Sequence, residues 1–304
     1  MMHVARFFAL SLLAIVSLRG QMFADDWCGS SFPLVGEVNI AYDDFRGLPE
    51  GTWNGNTGVL IGVNLGTTLF DLFGVQVGGS YGVYDWYGRG PVVNDTGGVQ
   101  QQGFVTGGVF RRDPCCNGFQ GGVVIDWMFN KNFGVFALDP SIGQVRFQVG
   151  YLWEGYDEFG VLGTANVNTA RETVFQVPAR FRAVSQVSLF WRHIFENGGE
   201  SMVWAGAPYN SSLMYSGKRS GTYLIGASFR APLTACLDLE AHGVYMGPVG
   251  NSSNRFRNYD ANVCIGLSYR FGTGCESCQQ ERLARPYLPI ANNSNFLVDT
   301  NVSD

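Results

Sequence analysis

Residues Asn258 to Phe271, NYDANVCIGLSYRF, alternate with a period of two. Ala261, Val263, Ile265, Leu267, Tyr269 and Phe271 are apolar. Between them Asn262, Cys264, Gly266, Ser268 and Arg270 are polar or small. Successive side chains of a strand point to opposite faces, so this segment has one oily face and one face fit for water. On a helix the same residues would scatter around the cylinder. The run is about fourteen residues long, where strands in soluble domains usually have about five or six.

The pattern recurs. Val59, Ile61, Val63 and Leu65 alternate with Leu60, Gly62, Asn64 and Gly66. Phe73, Val75, Val77, Tyr81 and Val83 do so after a short link, which reads as a hairpin. Further runs centre on Ile125, Phe147, Leu189, Ile225 and Leu239. A Gly- and Asn-rich loop runs from Trp86 to Gln102, a second loop is read from Gly47 to Gly58, and a third spans Pro248 to Arg257. Pro178 cannot donate to a ladder and marks a turn or an edge. Long alternating strands with long and short connections in turn predict a transmembrane barrel, apolar outside and polar inside. The expected fold is all-β, an antiparallel up-and-down β-barrel of about 10–12 strands, of outer-membrane type, over residues 36–271.

The last strand ends Tyr269-Arg270-Phe271. Here the chain resembles outer-membrane barrels, whose final strand is amphipathic and closes on an aromatic residue. It departs from them because residues 272–304 follow. In texture, most of the chain is similar to an uncharacterised family of secreted planctomycete proteins with an outer-membrane-type barrel. That resemblance implies the fold and no known activity. The tail lacks alternation and is rich in Asn, Ser and Gln, so it reads as a flexible C-terminal tail over 272–304, mostly disordered or draped on the periplasmic side.

Residues 1–24 read as a signal peptide. A short polar start with Arg6 precedes the apolar run FFALSLLAIVSL, which is too short to span a bilayer as a helix. Residues 25–35 form an N-terminal segment. No later apolar run reaches the length of a membrane helix. Charged residues are 15% of the chain, and the only lysines are Lys131 and Lys218. With a net charge of −5 and no basic run, nucleic acid is not an expected partner.

Cys236 and Cys264 lie on the polar faces of neighbouring strands. With the intervening hairpin centred near Gly250 they would face one another and form a cross-strand disulfide. Cys275 and Cys278 form C-x-x-C. Without a second such pair a four-ligand zinc site is incomplete, and a small disulfide loop is the expected state. No cofactor or metal is expected.

Gly78-Gly79-Ser80-Tyr81-Gly82 matches G-x-S-x-G, but a nucleophile elbow needs a strand, a sharp turn and then a helix. The match lies inside an alternating strand, so no catalytic residue is assigned. His242 stands on a polar face beside Asp238 and Glu240. A lipid-modifying barrel enzyme would need a serine within reach of it, with Ser252, Ser253 and Ser268 as candidates. His193, near Trp191, is expected at the membrane interface. Arg146, Glu154, Arg230, Asp238, Glu240, His242 and Arg270 are expected to charge the lumen.

The leading expectation is a non-enzymatic outer-membrane barrel with a structural, adhesive or narrow-pore role. Its expected partners are outer-membrane lipids, with small solutes as candidate passengers. One alternative is a secreted soluble barrel, periplasmic or extracellular, holding an apolar ligand with its oily face turned inward. The other is a lipid-modifying enzyme using His242.

Overall fold

A computed structural model describes residues 34–47, 51–69, 73–84, 99–112, 117–134, 137–174, 176–214, 217–249, 259–272 and 285–302. Twelve of its strands form the barrel wall: β1 (Val35–Gly47), β2 (Gly51–Leu69), β3 (Phe73–Tyr84), β4 (Gln100–Arg111), β5 (Gly118–Lys131), β6 (Ser141–Trp153), β7 (Asp157–Asn166), β10 (Gln186–Ile194), β11 (Glu200–Pro208), β12 (Leu224–Pro232), β13 (Leu237–Met246) and β14 (Asp260–Phe271). Three more, β8 (Thr169–Val174), β9 (Val177–Ala183) and β15 (Val298–Val302), make a separate small sheet. The barrel is closed and antiparallel throughout, with β1 pairing β14 from Gly36↔Phe271 to Gly47↔Asp260. Closure leaves no unpaired edge, which is what lets strands cross a membrane.

The face question is settled on β14. Val263, Ile265, Leu267 and Tyr269 point outward and are exposed, Ile265 by 49%. Asp260, Asn262, Cys264 and Ser268 point inward and are buried. The same sense holds around the wall, where Ile40, Val77, Val105, Ile125, Leu189 and Ile225 all face out. Aromatic residues collect at both ends of this band. Phe119, Tyr151, Trp153, Phe159 and Trp191 stand near one rim, and Tyr42, Tyr81, Phe129 and Tyr223 toward the other. On β5 ten residues separate Phe119 from Phe129. At about 3.4 Å per residue and a tilt of about 40° that is about 26 Å, close to the roughly 25 Å apolar band of membrane barrels.

At one rim the connections are short: 70–72, 112–117, 154–156, 195–199 and 233–236. Both ends of the wall, Val35 and Phe271, lie at this short-turn rim. The opposite rim carries the longer connections 85–99, 132–140, 167–185, 209–223 and 247–259. The loop expected over 47–58 is mostly strand instead. Gly55–Gly58 pair with Arg46–Asp43, and after a register shift at Arg46/Gly47 the hairpin ends on Gly47↔Gly51. Pro178 sits near the start of β9, one residue past the reach of β15, so its missing donor costs that pairing nothing.

Two sequence expectations are corrected. Cys236 and Cys264 do not pair. The β13–β14 hairpin sets His242 opposite Cys264, while Arg270 N donates to Cys236 O at 2.7 Å. The centre of the hairpin lies about three residues past Gly250, so the two cysteines are offset by six residues, roughly 20 Å along the strand. Cys264 is a buried free thiol. The tail is not draped beneath the barrel over residues 285–302, which lie inside it, with Tyr287, Leu288, Ile290, Ala291, Phe296 and Leu297 all buried. Residues 1–24, Cys275 and Cys278 lie outside the described residues.

Candidate functional site: the lumen and its occupant

A barrel of eight strands is filled by its own side chains, and one of sixteen leaves a channel. Twelve strands leave a gap, and here the chain's own C-terminal segment occupies it. The segment starts near the short-turn rim and ends at the long-loop rim. Its bonds to the wall mark the path. Tyr287 Oη is hydrogen-bonded to Glu158 and accepts from Gln148 Nε2 at 3.0 Å, and the Arg192 guanidinium stands 4.9 Å over its ring. Leu288 O accepts from Gln76 Nε2 at 2.9 Å, and Pro289 O from Arg146 at 2.7 Å. Ala291 N donates to Thr106 Oγ1 at 2.9 Å, and its carbonyl accepts from Ser80 Oγ at 2.8 Å. Asn293 Nδ2 reaches Asp43 at 2.8 Å, Tyr84 at 2.9 Å and Gln102 at 3.0 Å. Gln144 donates to Asn295 O at 2.9 Å. Finally β15 pairs with β9 from Val298↔Ala183 to Val302↔Ala179.

Strand pairing builds the ionic layer at the short-turn end. Glu200 faces Arg230 across β11 and β12, and Arg230 faces Glu240 across β12 and β13. Residues directly opposite on one face of a ladder are in side-chain reach. Arg230 therefore meets Glu240 at 2.6 Å, Glu200 at 3.8 Å and, across the lumen, Glu37 at 3.2 Å. Arg112 joins Glu200 at 3.1 Å, and Arg270 pairs Asp238 at 2.9 Å. Glu158 and Arg192, also directly opposed, meet at 2.9 Å. Deeper in, Arg146 is bound to Asp126 at 2.9 Å, and Asp126 also accepts from Thr106 at 2.8 Å. Bordered by this layer, between the tail and the wall of β1, β6, β7 and β10–β13, a cavity of about 170 Å³ remains.

The long-loop end is apolar inside. Phe45, Leu60, Phe104, Met128 and Ile142 from the wall pack with Phe181 and Ala183 of β9 and with Phe296 and Val298 of the tail.

Of the residues expected in the lumen, Arg146, Arg230, Asp238, Glu240, His242 and Arg270 are there. Glu154 is not. It follows the last residue of β6 and takes a positive φ of 52° in the tight 154–156 turn, exposed at the rim. His242 faces inward and is hydrogen-bonded to Asn292 at 3.0 Å, with Ser228 and Cys264 as its cross-strand neighbours. Ser268 lies opposite Asp238, and Ser252 and Ser253 fall outside the described residues. Ser80, of the G-x-S-x-G match, is bonded to the tail in the interior of β3. His193 is at the outer face of the short-turn rim, bonded to Asp157 at 2.9 Å beside the stacked Phe159–Trp191 pair. Asp43, Gln76, Tyr84, Thr106, Gln148 and Asn293 were not singled out in the sequence. The first five share an inward position on a wall strand, and Asn293 lies in the luminal segment ahead of β15.

A family model described as a family of unknown function (DUF6666) matches residues 36–298. That span takes in the whole wall and the luminal segment up to its last strand. The chain belongs to DUF6666. A search of curated proteins returned no match. Among solved structures, an outer-membrane channel of Pseudomonas putida F1 is 12% identical, with a TM-score of 0.48, 83% of this chain covered and 100% of that one. Outer membrane phospholipase A from Escherichia coli is 8% identical at a TM-score of 0.43, covering 77% and 95%. The P. putida toluene transporter TodX is 8% identical at 0.41, covering 80% and 91%. These are likenesses of fold and assign no activity to the DUF6666 barrel.

Proposed function

We propose that this protein is an outer-membrane β-barrel of structural, non-enzymatic role. Its lumen is closed at rest by its own C-terminal segment. The carrying observation is the exposed apolar band between two aromatic belts, since only lipid matches such a surface all round a closed barrel. A soluble ligand carrier would turn its oily face inward, whereas here the continuous apolar band faces out and the inward apolar residues of the long-loop end pack against β9 and the tail. Short turns would then face the periplasm and long loops the outside. The full lumen supports a structural role over a constitutive pore.

The test is fractionation with a heat-modifiable gel shift. The protein should sediment with outer membranes and migrate faster unboiled than boiled. Recovery in the soluble periplasm with no shift would defeat the reading. As for catalysis, the ring of His242 is engaged by Asn292 inside the lumen. His242→Ala should leave lipid acyl content unchanged, and a loss of acyl hydrolysis would reverse the non-enzymatic assignment.

A further inference from the structure

We propose that the lumen is a peptide-binding site whose ligand is residues 285–302 of the same chain, a separable plug rather than part of the wall. The inference rests on the membrane-barrel reading above. Three independent observations carry it.

First, the wall is hollowed for specific side chains. Gly62 and Gly78 face inward on β2 and β3. A Cβ at Gly62 would collide with Ile290 Cδ1 and with the Asn39 side chain, and one at Gly78 would lie 2.5 Å from Ile290 Cγ2 and 2.6 Å from the Val63 carbonyl of the wall. At Gly122 of β5 a Cβ would collide with Leu288 Cδ1. Glycine at these positions makes seats for two aliphatic side chains, that of Leu288 lined also by Phe110 and Val124 of the wall.

Second, the wall reads main chain. Leu288 O, Pro289 O, Ala291 N and O, and Asn295 O are all bound by wall side chains. Such contacts recognise an extended peptide. Pro286 and Pro289 have no N–H, so neither brings an unpaired donor into the lumen.

Third, barrel closure does not use the segment. Each wall strand is laddered to two other wall strands, and the segment's one ladder is with β9, outside the wall. The wall can therefore close first and bind the segment afterwards, as a receptor binds a ligand. Vacating the lumen would expose a conduit lined by Asp126, Arg146, Gln102 and Asn262, suited to hydrated ions.

The test uses the full chain with a protease recognition sequence inserted between Gly272 and Arg285, folded and placed in planar bilayers. Intact protein should give no steady ion current. Cutting followed by perfusion should produce discrete conductance steps. A synthetic peptide spanning 285–304 should close them, and a scrambled peptide should not. Uncut Gly78→Leu, which denies Ile290 its seat, should also conduct. The heat-modifiable shift is measured on each preparation, so loss of the membrane barrel itself is scored separately. The proposal is overturned if folded barrels stay silent both after cutting and with Gly78→Leu, or if the scrambled peptide closes the opened barrel equally well.

Discussion

Asn293→Ala tests how tightly the luminal segment is held. The Asn293 amide nitrogen has two hydrogens and three acceptors around it, Asp43, Tyr84 and Gln102. Asp43 is fully buried and also takes hydrogen bonds from Tyr84 at 2.7 Å and Asn262 at 2.6 Å. The substitution removes one bond to a buried carboxylate, worth about 1.5–3 kcal/mol, and one neutral bond worth about 1 kcal/mol. We take the sum as about 3 kcal/mol. The Asp43 carboxylate keeps its other two donors, so the wall itself should stay folded. At about 1.4 kcal/mol per tenfold, opening of the segment becomes about a hundredfold more frequent. Hydrogen–deuterium exchange reads this directly at the Ala291 amide, which donates to Thr106. Exchange across 287–297 should quicken about a hundredfold while amides of β4 and β5 keep their rates. A change below about threefold would show that these bonds do not hold the segment. Equal acceleration in the wall would show that segment and wall unfold as one unit.

Three further outcomes are expected. Arg230→Met strands Glu37 and Glu240, while Glu200 keeps Arg112. Breaking a buried pair costs about 3–5 kcal/mol, reduced here to about 2–3 because Arg230 keeps some solvent, so the heat-modifiable transition should fall in temperature, with partial recovery on adding Glu240→Gln. Cys264, fully enclosed and unpaired, should be alkylated only after denaturation, and a Cys236–Cys264 cross-linked peptide in a mass spectrum would contradict the register. Ile265→Arg places a charge on the exposed face near the middle of β14 and should cost about 2–4 kcal/mol in lipid, measured by urea unfolding in vesicles, and a change near zero would place that face in water.

The wall was legible because its signal is local. Alternation along Asn258–Phe271 and its repeats fixes strands, and closure follows from the absence of any other way to shield their edges. The luminal segment was not legible, for a physical reason. A plug that satisfies a polar wall must itself be polar, so Asn292, Asn293, Ser294 and Asn295 look like a solvated tail although they are bound on all sides. One clue did stand in the sequence. Leu60, Phe104 and Met128 break the polar inner face with large apolar groups, all toward the long-loop end. Inward apolar side chains need an apolar partner inside, and Phe181, Phe296 and Val298 supply it. The cysteine register failed for a different reason. The turn of the β13–β14 hairpin carries no pattern that fixes its centre, and an error of three residues there becomes six between Cys236 and Cys264. Glu154 followed the alternation of β6 one step too far, past the strand's end at Trp153.

The central claim joins an outward oily face to an occupied lumen, and isoleucine methyl groups report both. In lipid nanodiscs, nuclear Overhauser contacts to acyl chains are expected for Ile40, Ile61, Ile125, Ile225 and Ile265, which are exposed on the outer face. None is expected for Ile142 or Ile290, which are buried inside, and Ile290 should instead show contacts to protein. Acyl contacts missing from the outer set would contradict the membrane face, and lipid contacts at Ile290 would contradict the occupied lumen.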